Sequence, residues 1–308
     1  MCGFIVLRHC SESVSMTRPV LVISMIGVLT NIGGNYVFMY GRLGLPAMGA
    51  VGCGWATALV MWMMLLSITI YILIQPYYQR FHLFQRFDWP RRDYLVETLL
   101  LGLPIGISVF LEASLFATVA LLMGSLGIIA VAGHQIAINF AQIAFMVPLG
   151  LSMAITVRVG QAQGRGSPGE GRRSAFVGLV LALAFMAISS TAMFSFPETI
   201  VGIYTDDPDV RRIAMDLLLM AAIFQISDGA QVAGAGALRG LKDTTVPMVM
   251  TLFAYWGLGL PLGYTLGIVR SMGPQAMWIG LIAGLTVAAL GLNGRFYWVT
   301  RRAALRTG

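Results

Sequence analysis

Read for polarity alone, the chain is a series of long apolar runs separated by short charged connections. Runs of about 20 apolar residues are long enough to cross a bilayer as helices. Eight such runs fall near residues 20–40, 50–74, 96–122, 128–156, 174–196, 210–237, 246–268 and 276–299. None alternates with a period of two, so a membrane β-barrel, built from alternating segments of about ten residues, is excluded. In lipid, unpaired backbone groups find no water, which leaves the helix as the form of every run. The expected fold is therefore an all-α integral membrane protein with about eight transmembrane helices.

Composition agrees. The residues are 57% hydrophobic and 11% charged, with a mean hydropathy of +0.80. A soluble domain carries roughly a quarter charged residues. The net charge of +7 is explained by where the cations lie and does not call for a nucleic-acid partner. One side of the predicted spans holds Arg8, Arg18, Arg80, Arg86, Arg91, Arg92, Arg158, Arg165, Arg172, Arg173, Arg239, Lys242, Arg295, Arg301, Arg302 and Arg306. The other side keeps Arg42, Arg211, Arg212 and Arg270, together with the acidic stretch FPETIVGIYTDDPD. Positive loops stay in the cytoplasm, so both termini are expected there. The longest polar connection, QPYYQRFHLFQRFDWPRRD at 75–93, reads as a linker between two bundles, with Tyr78, Phe81, Phe84 and Trp89 suited to the membrane interface. Cys2, Cys10 and Cys53 have no metal spacing and read as isolated thiols.

One phrase occurs twice. Arg, then T-x-P, then an apolar run ending in Tyr appears at residues 7–41 and again at 238–267. Thr17, Pro19, Tyr36 and Gly52 align with Thr245, Pro247, Tyr264 and Gly280 at an offset of 228. Both copies enter a helix from the arginine-rich side, which makes the repeat parallel. Repeats in membrane proteins usually mark transporters, with the substrate path between the halves. The second copy is preceded by four spans and the first by almost nothing, so about four helices are expected to be missing from the front.

Several stretches resemble multidrug and toxic compound extrusion (MATE) transporters, in particular their bacterial NorM-like branch. GLPIGISVFLEASLFATVALLMGSLG at 102–127 is similar to that family's seventh helix, and VAGHQIAINFAQIAFMVPLGLSMAITVRVGQAQGRG at 131–166 to its eighth. QISDGAQVAGAGALRGLKDTTVP at 225–247 resembles the tenth helix and its exit, and GNYVFMYGRLGLPAMGAVGCGWATAL at 34–59 the fifth and sixth. The resemblance implies two six-helix bundles forming a V. It also implies antiport of cationic or amphipathic drugs against Na+ or H+ in a bacterial inner membrane. On this reading residues 1–75 are a remnant of the N-terminal bundle and 76–95 the cytoplasmic linker. Residues 96–300 are a complete C-terminal six-helix bundle and 301–308 a cytoplasmic tail. Small organic cations and membrane lipid are the expected partners, with the missing helices or a second chain as completing elements. No cofactor is expected beyond the coupling ion.

Two carboxylates lie well inside predicted spans, Glu112 and Asp228. A central charge costs on the order of 3 kcal/mol on insertion scales, which argues for a partner or a task. A buried carboxyl can exchange a proton near neutral pH, and an ionised pair can hold a hard cation such as Na+ through oxygen. The resemblance implies the same role, cation coupling, for both positions. Gln135, Asn139 and Gln142 recur at i, i+4, i+7, and Gln225, Asp228 and Gln231 at i, i+3, i+6. Either stripe can line a substrate cavity or join helices. Asn31 and Asn35 share a face. By resemblance Asn35 supports a front-bundle site; it also reads as glue between helices. His134 reads as structural. Phe224, with Phe110, Phe116, Phe140 and Phe145, offers rings to a cation.

No nucleophile elbow, zinc-protease helix or Walker loop is present, so the chain does not read as an enzyme and transport would draw on an ion gradient. Two other functions fit the same spans. A lipid-linked precursor flippase would be expected to line its groove with cations, whereas the central charges here are acidic. A fragment that inserts but transports nothing is the second.

Overall fold

The structure is a computed structural model that describes residues 2–42, 46–80, 89 and 91–307, the last five by backbone alone. Residues 81–88 of the linker, with Phe81, Phe84 and Arg86, and the side chain of Arg306 lie outside the described residues. Among the described residues twelve α-helices follow in order: α1 (Cys2–Ser13), α2 (Arg18–Tyr40), α3 (Gly49–Ile74), α4 (Pro76–Gln79), α5 (Arg92–Ser125), α6 (Ile128–Gly164), α7 (Pro168–Ser195), α8 (Pro197–Gly202), α9 (Pro208–Gly240), α10 (Thr245–Leu252), α11 (Leu260–Tyr264) and α12 (Pro274–Thr307). Two π-helical segments, Phe253–Gly259 and Thr265–Val269, join α10 and α11 into one continuous span. Eight spans among the described residues are long and apolar enough to cross a membrane. The last helix continues to Thr307, through the stretch expected as a tail. The chain divides into two compact units, Met1–Pro90 and Arg91–Gly308.

In the first unit α2 and α3 form a hairpin. Lipid tails are as apolar as leucine, so such helices associate through close packing of small residues rather than through escape from water. Gly52 shows this, because a β-carbon there would lie 2.5 Å from the carbonyl oxygen of Phe38. Val20, Ile23, Ile68, Ile72 and Tyr78 make the core of the unit. Tyr78 is 1% exposed. The short helix α4 folds it inward, edge-on against Tyr71 and Tyr77.

The second unit is built around α9. Half of the apolar stretch of α9 is buried, against 11% for α5. Two features press α9 onto α6. First, Gly133 and Gly236 remove side chains where the helices cross; a β-carbon on Gly236 would meet Ser152 Oγ at 2.4 Å and its carbonyl oxygen at 2.5 Å. Second, hydroxyls bridge the gap: Ser152 Oγ donates to the Val232 carbonyl at 2.7 Å, and Thr156 Oγ1 to the Gly236 carbonyl at 2.8 Å. On the other side of α9, Ser227 and Thr286 share a 2.8 Å hydrogen bond and Asn293 Nδ2 donates to the Ala230 carbonyl at 2.9 Å, which ties α9 to α12.

The second copy of the repeated phrase also builds a helix pair. Gly259, Gly263 and Gly267 form a ridge four residues apart that receives Gly280 and Gly284 of α12. Gly280 occupies the position of Gly52 in the first copy, and each meets the backbone of the preceding helix. Within the second copy, Pro261 lacks the N–H that the carbonyl of Gly257 would accept. With glycines at 257 and 259 the ladder is weak, and the helix widens into π turns.

Candidate functional site

Glu112 stands near the middle of α5, two turns beyond Pro104. It is half-buried and lines a narrow cavity of about 30 Å³ with Ser108, Gln231, Arg239, Thr244 and Thr251. That volume accepts one or two waters. Asp228 stands one turn before Gln231 on α9 and is 6% exposed. The two carboxylates are within electrostatic reach of each other and of the Tyr255 hydroxyl. Arg239 is a cation within electrostatic reach of Glu112.

Oxygen atoms dominate the inner part of the site. Asp228 Oδ1 and Gln225 Oε1 are buried without a protein hydrogen bond, and the buried Tyr255 hydroxyl and Gln231 side chain lie beside each other. A buried polar group left unpaired costs about 1–3 kcal/mol, so two along one helix call for something to bind. A proton shared among them, an ordered water or a hard cation each suits an all-oxygen set. No cluster of three or more His, Cys, Asp or Glu side chains placed to hold a metal occurs among the described residues.

The two carboxylates sit on supports of different stiffness. Asp228 belongs to the helix fastened to both α6 and α12. Glu112 belongs to the lightly packed α5, whose neighbour is the π segment. Trp256 Nε1 donates to the Leu111 carbonyl at 3.2 Å and so fixes the π segment beside Glu112. π-Helical turns inside α-helices are frequent at functional sites because the extra residue loosens the ladder. On the arginine-rich side of the cavity, Lys242 Nζ meets Glu97 Oε1 at 2.6 Å and Arg295 Nε meets Asp243 Oδ2 at 3.0 Å. The Lys242–Glu97 pair clasps the start of α5 to the turn after α9. It is solvent-exposed and contributes little to stability.

The remaining candidates are distributed as follows. Gln225 is fully buried beside Met193, with its Nε2 3.3 Å from the sulfur. Gln135, Asn139 and Gln142 all lie on an exposed face of α6. Among them Asn139 Oδ1 accepts from the Tyr204 hydroxyl at 3.2 Å. Phe224 is 2% exposed and packs edge-on between Phe116 and Trp278 in the core. His134 is buried against Trp278. Asn35 Nδ2 donates to Asn31 Oδ1 at 2.9 Å, a bond within α2. Tyr255 and Arg239 are the members the sequence did not single out. A tyrosine in mid-span was the available signal for the first; the second read as an ordinary loop cation at a helix end.

A multi-pass helical membrane protein that encloses a carboxylate pair and unpaired oxygens within one bundle is the class these features define. Comparison with known proteins narrows it. The MatE family model matches residues 104–265. The chain is 46% identical over 301 residues to the multidrug resistance protein PmpM of Pseudomonas aeruginosa, covering 96% of this chain and 63% of that one. It is 46% identical over 289 residues to the probable multidrug resistance protein NorM of Shewanella oneidensis, covering 92% and 63%. The fold matches the crystal structure of the eukaryotic MATE transporter AtDTX14 with a TM-score of 0.82 at 19% identity, covering 98% of this chain and 68% of that one. The chain belongs to the MATE family, in its bacterial NorM-like branch. It spans 63% of the length of these two curated relatives.

Proposed function

We propose that the chain serves a secondary antiporter that exports cationic or amphipathic drugs in exchange for Na+ or H+. The observation that carries this reading is the group of buried, unpaired oxygens around Asp228, close to Glu112. Two like charges within electrostatic reach of each other disfavour joint ionisation. Uptake of one small cation relieves the repulsion and gives the stranded oxygens a partner. The Asp228 side is held by the fixed α9, so the response falls on α5 and the π segment carrying Tyr255. When the cation leaves, the carboxylates again attract positive charge and water, and an organic cation competes for the same field. The Arg239 guanidinium, close enough to neutralise Glu112 in part, is a resident competitor for that carboxylate.

The exposed polar face of Gln135, Asn139 and Gln142 is proposed to line the drug path, with Asn35 supporting the first unit. The relatives are named multidrug resistance proteins, which favours drugs as cargo. In this reading the protein lies in the bacterial inner membrane with its arginine-rich loops and both termini in the cytoplasm.

The test is drug accumulation in cells expressing the chain. Wild type lowers accumulation of an amphipathic cation such as ethidium, while Glu112→Gln and Asp228→Asn each restore the level of cells without it. Equal accumulation in wild-type and vector-only cells contradicts the proposal, as does full efflux by the doubly neutralised variant.

A further inference from the structure

On the opposite side of α9 from Glu112, the second unit holds a larger cavity that the coupling chemistry does not use. It lies where α7, α9 and α12 meet, has a volume of about 490 Å³, and falls within the usual size range of ligand pockets. Its floor is formed by small residues, Ala175, Ala233 and Ala237, and its sides by Leu179 and Phe296. Asn293, a polar group on the wall, has its Nδ2 committed to the carbonyls of Ala230 and Ala289. At the mouth stand Arg172 and Arg173, in the first turns of α7 on the arginine-rich side.

The mouth is charged and ready to accept an anion. Arg172 lies 4.4 Å from the centre of the Tyr297 ring. A stacked guanidinium keeps its in-plane N–H edge free for a phosphate. The nearby carboxylate of Glu170 is taken by Arg165 at 3.0 Å. Neither Arg172 nor Arg173 forms a salt bridge among the described residues. The same level carries Trp298, with Arg302 3.8 Å from its ring centre, an aromatic and basic belt that belongs at a lipid headgroup.

We propose that this groove binds one anionic phospholipid, its phosphate held by Arg172 and Arg173 and one acyl chain lying in the slot between α7 and α12. Inside a bilayer an acyl chain gains no hydrophobic energy by entering an apolar slot, since the lipid around it is equally apolar. The slot therefore supplies shape and the two arginines supply the preference. Basic pockets between transmembrane helices at the cytoplasmic level hold anionic headgroups for this reason. The site is separate from the carboxylate pair and does not depend on which ion drives transport.

Native mass spectrometry of the 308-residue chain, released from detergent containing equal phosphatidylglycerol and phosphatidylcholine, tests this. One phosphatidylglycerol is retained per chain, preferred on the order of tenfold or more over phosphatidylcholine. The Arg172→Gln/Arg173→Gln variant retains the two lipids about equally. Arg91→Gln/Arg92→Gln, which removes two arginines on the same side but outside the groove, keeps the preference. All four side chains are exposed, so the variants fold, and an unchanged melting temperature verifies it. Equal retention of both lipids by wild type overturns the proposal. So does a preference that survives in the groove variant, or one that both variants lose alike, since the latter reports diffuse surface charge.

Discussion

Replacing Gly236 by alanine puts the α6–α9 joint under direct strain. The new β-carbon would lie 2.4 Å from Ser152 Oγ and 2.5 Å from the Ser152 carbonyl oxygen. The hydroxyl can rotate away, but the carbonyl belongs to the backbone, so the helices must separate. Separation lengthens the Ser152-to-Val232 and Thr156-to-Gly236 hydrogen bonds, now 2.7 and 2.8 Å. Overpacking costs about 1–3 kcal/mol, and each interhelical hydrogen bond in a membrane protein contributes about 0.6 kcal/mol. The sum is about 2–4 kcal/mol, or roughly 3–6 °C in Tm for a chain of this size. Gly150→Ala is the control, on the partner helix α6, because that β-carbon meets nothing within 4 Å. Alanine there gains up to about 1 kcal/mol in helix propensity. Thermal unfolding in one detergent compares the two. A Gly236→Ala chain that melts with wild type would refute the argument that close backbone approach fixes the helix carrying Asp228.

Three further outcomes follow from the geometry. Tyr255→Phe removes a buried hydroxyl that lies beside the Gln231 side chain; stability falls by no more than one weak interhelical hydrogen bond, about 0.6 kcal/mol, while affinity for the coupling cation, read from the ion dependence of efflux, falls severalfold. Arg239→Gln deletes the cation facing Glu112, so the coupling ion binds about three- to tenfold tighter, and unchanged ion dependence would count against the competition. Burial in the first unit raises the Tyr78 phenol above its usual 10.0; the folded form then keeps its proton longer than the unfolded one, so stability is intact below pH 10 and declines above it. Alkaline melting curves should show that decline in wild type and less of it in Tyr78→Phe.

The spans were legible because lipid forces helices to declare themselves as long apolar runs, and the polar triplet on α9 because every member falls at helical spacing. Other features were hidden for physical reasons. Phe224 looked available to a cation, yet the same ring is what fills the space between Phe116 and Trp278, and sequence does not say which way an aromatic on an all-apolar helix points. Gln135, Asn139 and Gln142 share a face, as their spacing required, but only packing shows that this face is open. Tyr78 reads as one of a row of aromatics in a polar connection, and sequence does not show that the four-residue helix α4 turns it into the core of the first unit. Arg239 gave no sign of its role, since a cation in the last turn of a helix is ordinary and its reach to Glu112 depends on how α5 crosses α9.

The central claim is that Glu112 and Asp228 together hold one exchangeable small cation. Purified chain in weakly buffered detergent, titrated with ethidium while proton release and bound 22Na+ are both followed, measures this without requiring transport. The account predicts release of close to one cation, H+ or Na+, per ethidium bound, and none from Glu112→Gln/Asp228→Asn. Ethidium binding with no ion released from wild type, or with undiminished release from the double variant, would contradict it.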